Sequence, residues 1–455
     1  MSSAGPSPLR RDLRSIVGDG IAFSLMVGVG ETYLPAFVLA AGLGEISAGL
    51  VATLPMLVGA SLQLVSPAAV RWLGSHRRWV VWSARLQAAS FAPLVAGALL
   101  GGIDRTWVFV AAAAYWGFGM ATGPAWNTWV STLVPERRRA RFFARRNRWC
   151  QAALLVGVLA GGALLEGGPR LGDRLRVFAL LFAAAAAARL ASSLFLARQS
   201  EPEPLPHGQR DLSPREFLAR LGPAHDGQLL DYQLGMQVAV HLAAPFFTPF
   251  LLGPLELSYA SFTLYTAVAL VARVVALPWL GQLAHRFGAR SVLWLGALGI
   301  VPLPCLWLVS SEPLFFVALQ AGAGVAWAAL ELGTLLAFFE DIERHERTSV
   351  LTYFNLANAL AIATGTLLGA ALFAGLGPAR GYAVLFVLSA AGRALCLLLV
   401  RRVPPPERPA PALELRTLAV RPNAGALQRP ILATLDAEPE APAPLSAGGP
   451  PGSSS

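Results

Sequence analysis

The sequence predicts an all-α polytopic membrane protein, with twelve transmembrane helices in two pseudo-symmetric bundles of six. Composition, the number of apolar runs and an internal repeat lead to this prediction. Aliphatic, aromatic and sulfur residues make up 55% of the chain, and only 14% is charged, against about 25% in soluble globular proteins. The mean hydropathy of +0.55 agrees with a chain that lies mostly in lipid.

Twelve apolar runs are long enough to cross a bilayer, because a helix needs about 20 residues to span about 30 Å of hydrocarbon. We number these runs as spans 1 to 12. They cover residues 15–41, 46–71, 79–101, 105–134, 147–167, 175–198, 226–252, 258–285, 289–309, 313–339, 349–374 and 380–402.

The internal repeat is clearest in the segments Gly117–Trp149 and Gly322–Asn355. Each begins with Gly-x-Gly, continues as an apolar run and ends in a charged segment that precedes the next apolar run. The connection at 199–225 is rich in proline and charge, and it divides the spans six and six. One membrane unit used twice is a common arrangement of secondary transporters.

Five regions follow from these boundaries. The central connection is expected to be a cytoplasmic linker with a short amphipathic helix at Pro214–Leu221. The C-terminal region is rich in Pro, Ala and Gly, so we expect it to be a disordered cytoplasmic tail. The predicted regions are a cytoplasmic N-terminal tail at 1–14, a six-helix bundle at 15–198, the linker at 199–225, a second bundle at 226–402 and the tail at 403–455.

The arginines predict the orientation in the membrane. With the N-terminus in the cytoplasm, the inside segments down to Arg408 hold 24 arginines and the outside loops hold five, which satisfies the positive-inside rule. Both termini are therefore expected in the cytoplasm, in a bacterial-type plasma (inner) membrane. Because the arginines lie in short loops between apolar runs, the lipid bilayer is the expected partner and nucleic acid is not. A monomer is expected.

An enzyme is not predicted. The sequence contains no nucleotide-binding loop, metal-ligand cluster or nucleophile motif, so neither a cofactor nor a metal is expected. Cys150, Cys305 and Cys396 lie in or beside separate apolar runs. We interpret them as small apolar residues of helices.

Charged side chains at membrane depth are the first functional candidates, because a charge near the bilayer centre costs at least ~3 kcal/mol. In span 1, Asp19 is interpreted as a helix-end acid solvated at the cytoplasmic face. Glu31 lies twelve residues further, or about 18 Å along a helix, and so at mid-membrane. It is a candidate for ion coupling, with a structural role as partner of an arginine as the alternative.

The second half contains three more candidates. His241 lies near the middle of span 7, with a packing role as the alternative, and Glu331 lies nearer the cytoplasmic end of span 10. Arg273 lies at the centre of span 8. Because arginine keeps its charge, Arg273 must face either a carboxylate, for which Glu31 is the candidate, or an anionic group of a substrate. Arg189 and Arg393 are also deep enough to need partners.

One motif adds a resemblance. The loop after span 8 is similar to the G-x-L-A-D-R-x-G-R-[KR] loop of major facilitator superfamily transporters, with His285 at the position of the family's Asp. In the loop after span 2, only the second glycine, Gly74, and the basic end survive, and Arg71 stands at the acidic position. The matching stretch is Gly281-Gln-Leu-Ala-His285-Arg286-Phe-Gly288-Ala-Arg290.

The resemblance implies twelve helices around a central cavity lined by spans 1, 4, 7 and 10, with spans 2, 5, 8 and 11 beside them. It makes Asn127 of span 4 a further cavity candidate, together with Glu31, His241, Arg273 and Glu331. It also makes Gly281, His285, Arg286, Gly288 and Arg290 candidates for gating. A role of these loops in topology alone is the alternative.

The predicted function is secondary active transport of a small organic solute by alternating access, with protons as the expected coupling ion. The alternative is a transporter-like membrane receptor or a lipid-handling protein without net solute flux. Acidic groups at membrane depth favour transport, because sensing alone does not require them. The altered gating motifs keep the alternative open.

Overall fold

The computed structural model of the chain describes residues 8–134, 136–167, 174–201, 214–221, 225–341 and 347–400. In these residues every regular element is helical, and ten helices are long and apolar enough to cross a membrane. Predicted spans 3 and 4 are also helical, which makes the structure consistent with twelve spans. The predicted tail at 403–455 and most of the linker lie outside the described residues.

The first six spans follow the apolar runs closely. Span 1 comprises Pro8–Val29 and Leu34–Ala40, span 2 comprises Glu45–Val51 and Pro55–Leu73, and span 3 comprises His76–Ala89 and Ala92–Leu99. Spans 4, 5 and 6 are single helices, at Arg105–Leu133, Glu136–Glu166 and Arg174–Ala197.

The second six spans repeat this arrangement after a short linker helix at Pro214–Arg220. Span 7 comprises His225–His241 and Phe247–Leu252, and span 9 comprises Ala289–Ile300 and Leu303–Leu306. Spans 8, 10, 11 and 12 are single helices, at Tyr259–Phe287, Pro313–Asp341, Arg347–Leu376 and Pro378–Val400.

Helix packing repeats between the two halves. Span 1 packs on spans 5 and 6, span 2 on span 4, and span 3 on span 4. Span 7 likewise packs on spans 11 and 12, span 8 on span 10, and span 9 on span 10. The twofold repeat predicted from the sequence is thus a repeat of three-dimensional packing.

Spans 1 and 7 are interrupted at corresponding places. A 3-10 turn at Glu31–Tyr33 separates the two helices of span 1, and another at Ala244–Phe246 separates those of span 7. The sequence contains the signals for both breaks, since Pro35 stands at the start of the second helix of span 1 and Pro245 lies within the turn of span 7. Such breaks at membrane depth occur where the backbone is buried in protein or lines a cavity.

The basic segment before span 5 differs from the prediction. It was expected to be a loop, but the helix of span 5 begins at Glu136 and includes it. Arg146 was counted among the loop arginines, yet its side chain is only 1% exposed and lies inside the first bundle. In this helix Arg146 points to a different side from Arg145 and Arg148, which are exposed.

Close helix contacts occur at glycines of spans 5 and 11. A Cβ on Gly157 would lie 3.1 Å from the Cα of Gly28, and a Cβ on Gly365 would lie 2.4 Å from the carbonyl oxygen of Val238. The outward faces of the helices carry exposed leucines, valines and tryptophans, among them Leu100, Trp279, Leu314 and Leu395. This apolar surface suits contact with lipid tails.

Candidate functional site

Glu31 lies at the break in span 1, where its carboxylate accepts a hydrogen bond of 2.5 Å from the hydroxyl of Tyr115 in span 4. The side chain is half-buried. A small pocket adjoins it, lined by Gly30, Glu31, Leu34, Ser90, Phe91, Leu94, Ala112 and Tyr115. The carboxylate therefore faces spans 3 and 4 of its own bundle. The backbone of Glu31 belongs to the 3-10 turn and not to a regular α-helix.

A buried ionic cluster lies further towards the predicted cytoplasmic face of the same bundle. Asp19 is fully buried, 3.8 Å from a guanidinium nitrogen of Arg146 and 4.0 Å from one of Arg189. Ser192 donates to Asp19 at 2.6 Å and accepts from Arg189 at 2.7 Å. The interpretation of Asp19 as a solvated helix-end acid was wrong, because spans 5 and 6 each place an arginine beside it.

Arg189 connects this cluster with the neighbourhood of Glu31. Its Nε donates to the amide oxygen of Gln87 in span 3 at 2.7 Å, and its guanidinium lies over the ring of Phe23. It is also within electrostatic reach of Tyr115, which binds Glu31. The two acids and two arginines of the first bundle thus form one polar region that extends along span 1.

The second bundle pairs Arg273 of span 8 with Glu331 of span 10. A guanidinium nitrogen of Arg273 contacts a carboxylate oxygen of Glu331, and the two side chains remain 12% and 21% exposed. Arg273 thus contacts a carboxylate, one of the two kinds of partner expected for it, and this carboxylate belongs to Glu331, whereas the sequence made Glu31 the candidate. Spans 8 and 10 pack directly on each other, which brings the two residues together.

His241 and Asn127 are the remaining cavity candidates. His241 is 2% exposed, and its ring Nδ1 lies 3.0 Å from the carbonyl oxygen of Gln237, one turn earlier in span 7. This placement matches the alternative of a packing histidine. Asn127 lies on the helix of span 4, but its side chain is outside the described residues.

The candidate gating motif covers the last two turns of the span 8 helix, the turn at Gly288 and the start of span 9. Gly288 has a φ of +84° and Gly74, its counterpart after span 2, has a φ of +62°. Both adopt backbone conformations that other residues avoid, which accounts for the survival of the second glycine in both loops. Gly281 is buried, Arg286 is exposed beside Phe287, and Arg290 is partly buried. The side chain of His285 lies outside the described residues.

Contacts between the bundles gather near the predicted outer face. The hydroxyl of Tyr33 in span 1 lies 3.1 Å from the hydroxyl of Thr263 in span 8. The backbone nitrogen of Ala260 donates to Glu166 at the end of span 5, at 3.1 Å. Spans 2 and 11 also pack on each other. The sequence analysis missed Tyr33 and Thr263, because neither is charged.

The described residues contain no group of three or more His, Cys, Asp or Glu side chains arranged to hold a metal ion. The three polar centres described above are the Glu31–Tyr115 pair, the Asp19 cluster and the Arg273–Glu331 pair. The sequence analysis named the charged members of the first and third centres.

Residues 232–437 match the family model of the Major Facilitator Superfamily. No curated protein matches the sequence. Among solved structures, a bacterial homologue of the iron transporter ferroportin in an inward-facing state is similar with a TM-score of 0.68 and 14% identity, over 88% of this chain and 99% of that one.

Two further structures share the fold at low sequence identity. The nucleoside transporter NupG, as its D323A mutant, gives a TM-score of 0.68 at 13% identity, covering 86% of this chain and 99% of that one. A bacterial homologue of the human lysosomal transporter Spinster, in an inward-facing and occupied conformation, gives a TM-score of 0.61 at 13% identity, covering 88% of this chain and 95% of that one.

Proposed function

We propose that this chain is a membrane transporter of the major facilitator superfamily and that it carries a small organic solute by secondary active transport, with Glu31 as the proton-coupling group. The position of Glu31 carries the proposal. It is a half-buried carboxylate at the break of a membrane helix, hydrogen-bonded to Tyr115 and beside a small pocket.

Glu31 suits proton coupling better than Asp19. Asp19 is fully buried between two arginines, and protonating it would remove a counter-charge from both. Glu31 accepts a hydrogen bond from the neutral hydroxyl of Tyr115 and retains some exposure. A proton can therefore reach it and leave it as the transporter changes conformation.

The Arg273–Glu331 pair is the proposed solute site. Its side chains are partly exposed, and together they offer a planar cationic fork and a carboxylate acceptor. A polar organic solute with an acidic group would compete with Glu331 for the fork. Similar structures belong to a nucleoside transporter and to a homologue of an iron transporter, which supports a small cargo.

Alternating access is supported by the distribution of contacts. The hydroxyl pair of Tyr33 and Thr263 and the bond from Ala260 to Glu166 hold the bundles together near the predicted outer face. We propose that this state opens to the cytoplasm, as in the inward-facing ferroportin homologue. The two termini and the linker then lie in the cytoplasm, on the open side of the protein. The protein itself lies in the inner membrane of a bacterial-type cell.

The coupling role is tested by Glu31→Gln, which keeps shape and hydrogen bonding but fixes the neutral form. In proteoliposomes with an imposed pH gradient, a panel of labelled nucleosides, amino acids and organic acids identifies the solute on the wild-type protein. Glu31→Gln is expected to lose accumulation of that solute and to keep exchange across equal pH.

The matched control is Glu312→Gln, which changes an exposed acid in the segment before span 10. It is expected to accumulate solute as the wild type does. Accumulation at the wild-type level by Glu31→Gln would remove Glu31 from the coupling mechanism. Loss of both exchange and accumulation in Glu31→Gln would assign Glu31 to solute binding instead.

A further inference from the structure

Arg393 places a permanent positive charge inside the second bundle. Its side chain is 2% exposed in span 12. One guanidinium nitrogen donates to the carbonyl oxygen of Ile300 in span 9 at 2.8 Å, and the guanidinium carbon lies 5.8 Å from the ring centre of Trp327 in span 10. A guanidinium does not lose its proton in proteins, so the charge remains whatever the pH.

Within the described part of the chain, no carboxylate forms an ion pair with Arg393, and its Nε makes no hydrogen bond. Two other titratable groups, His241 and Cys305, are within electrostatic range of Arg393. The thiol of Cys305 donates to the carbonyl oxygen of Phe386 at 3.8 Å, and the ring of His241 is bonded to its own helix. Neither supplies a negative charge.

The first bundle contains a comparable buried arginine, Arg189, that does have a carboxylate partner. Arg189 occupies the corresponding place in span 6, 204 positions before Arg393. It too is fully buried, but it has the carboxylate of Asp19 within 4.0 Å, the amide oxygen of Gln87 and the hydroxyl of Ser192. The first bundle therefore supplies an internal counter-charge, and the described second bundle does not.

A buried charge without a counter-charge is strongly unfavourable. From this contrast we propose that Arg393 forms a binding site for a small monovalent anion in the core of the second bundle. The anion would complete the coordination of the guanidinium beside Trp327. Trp327 is partly exposed, so movement of its ring would open the path to the site.

The packing around Arg393 limits the size of the anion. A Cβ on the neighbouring Gly392 would lie 3.0 Å from the Cβ of Ala239 in span 7, and His241 lies two residues further along that helix. A compact, singly charged acceptor fits these limits. A free halide and the carboxylate end of a small solute share this chemistry.

The test measures the melting temperature of the purified full-length protein in detergent at constant ionic strength. Sodium gluconate, whose anion is bulky, is replaced stepwise by sodium chloride or by sodium acetate. The wild type is expected to gain about 2–4 °C in a saturable way. A gain with chloride alone identifies a free halide, a gain with acetate alone identifies a carboxylate, and a gain with both shows a site open to either.

Two variants assign the effect to Arg393. Arg393→Met removes the charge and is expected to melt at the same temperature in all three salts. His241→Glu places a carboxylate within electrostatic range of the guanidinium and is expected to raise the melting temperature in gluconate and to abolish the gain with chloride or acetate. The control Arg85→Met removes an exposed arginine and should keep the wild-type gain.

Three results would overturn the proposal. One is a wild type whose melting temperature is the same in all three salts. Another is an Arg393→Met protein that keeps the full gain. The third applies if Arg393→Met does not fold. In that case, a His241→Glu protein whose melting temperature still rises fully with chloride or acetate would show that the anion does not act at this guanidinium. The test does not involve transport, so its failure is separate from failure of the coupling role of Glu31.

Discussion

The hydroxyl of Tyr33 in span 1 lies 3.1 Å from the hydroxyl of Thr263 in span 8, and this contact joins the two bundles. Gly162 of span 5 makes the approach possible, because a Cβ at this position would lie 1.9 Å from the hydroxyl oxygen of Thr263. Tyr33 also donates to the carbonyl oxygen of Val158 in span 5. Spans 1, 5 and 8 therefore meet at one point near the predicted outer face.

Gly162→Ala is expected to separate the bundles at this point and to favour a state open to the outside. The measurement is labelling by a membrane-impermeant maleimide at Ala267→Cys, in a protein whose three native cysteines are replaced. Ala267 is buried on span 8, one turn deeper than Thr263. Labelling from outside should rise several-fold. Gly322→Ala is the control, because nothing lies within 4 Å of a Cβ there, and an equal rise in the control would contradict the prediction.

Removal of Arg189 is expected to destabilise the first bundle by about 3–5 kcal/mol, because Arg189→Ala leaves Asp19 with less of its buried counter-charge. Thermal unfolding in detergent measures the effect. The exposed Arg85 provides the control, and Arg85→Ala should stay within about 0.5 kcal/mol of the wild type. Combining Arg189→Ala with Asp19→Asn should recover part of the loss, and additive losses would show that the two residues do not interact.

The Arg273–Glu331 pair predicts a specific pattern of rescue. Arg273→Gln is expected to lower the melting temperature, because the half-buried carboxylate of Glu331 loses its partner. Adding Glu331→Gln should recover part of that loss, whereas adding Glu31→Gln should not. Rescue by Glu31→Gln would mean that Arg273 pairs with Glu31 in the state that unfolds.

His76 predicts a dependence of stability on pH. Burial lowers the pKa of His76 below its usual value near 6.5, and the carboxylate of Glu201 partly opposes this shift. Folding therefore favours the neutral ring, and its contribution to stability is complete above about pH 6.5 and decreases as the pH falls below that value. Melting temperatures of the wild type and of His76→Gln at about pH 7.5 and about pH 5.0 check this dependence. The melting temperature of the variant should fall less than that of the wild type when the pH is lowered. Equal losses in both proteins would contradict it.

The fold could be predicted because its signals are local. Span length and the repeat each depend on short stretches of sequence, and the ten long apolar helices and their repeated packing agree with them. The breaks in spans 1 and 7 were also visible in principle, since Pro35 and Pro245 interrupt corresponding apolar runs. They were missed because an apolar run was treated as one continuous helix.

The partners of the charged residues could not be predicted in the same way. Asp19 is close to Arg14 in sequence but pairs with Arg146 and Arg189, and Arg273 has Glu331 beside it although Glu31 has a similar predicted depth. Depth follows from position along a span. The choice among carboxylates of similar depth depends on helix rotation and on which spans are neighbours, and both are set by packing across the whole bundle.

The cluster around Asp19 also affects how the protein is made. Ser192, which donates to Asp19, lies 173 positions later in the chain, and at about 5–20 residues per second a ribosome needs roughly 10–30 s to reach it. During most of that interval span 1 holds a carboxylate that the membrane does not favour, because Arg146 follows only 127 positions after Asp19 and Arg189 only 170 positions after it. Span 1 must therefore wait in the insertion machinery or at the interface, and the first bundle matures as one unit when span 6 arrives.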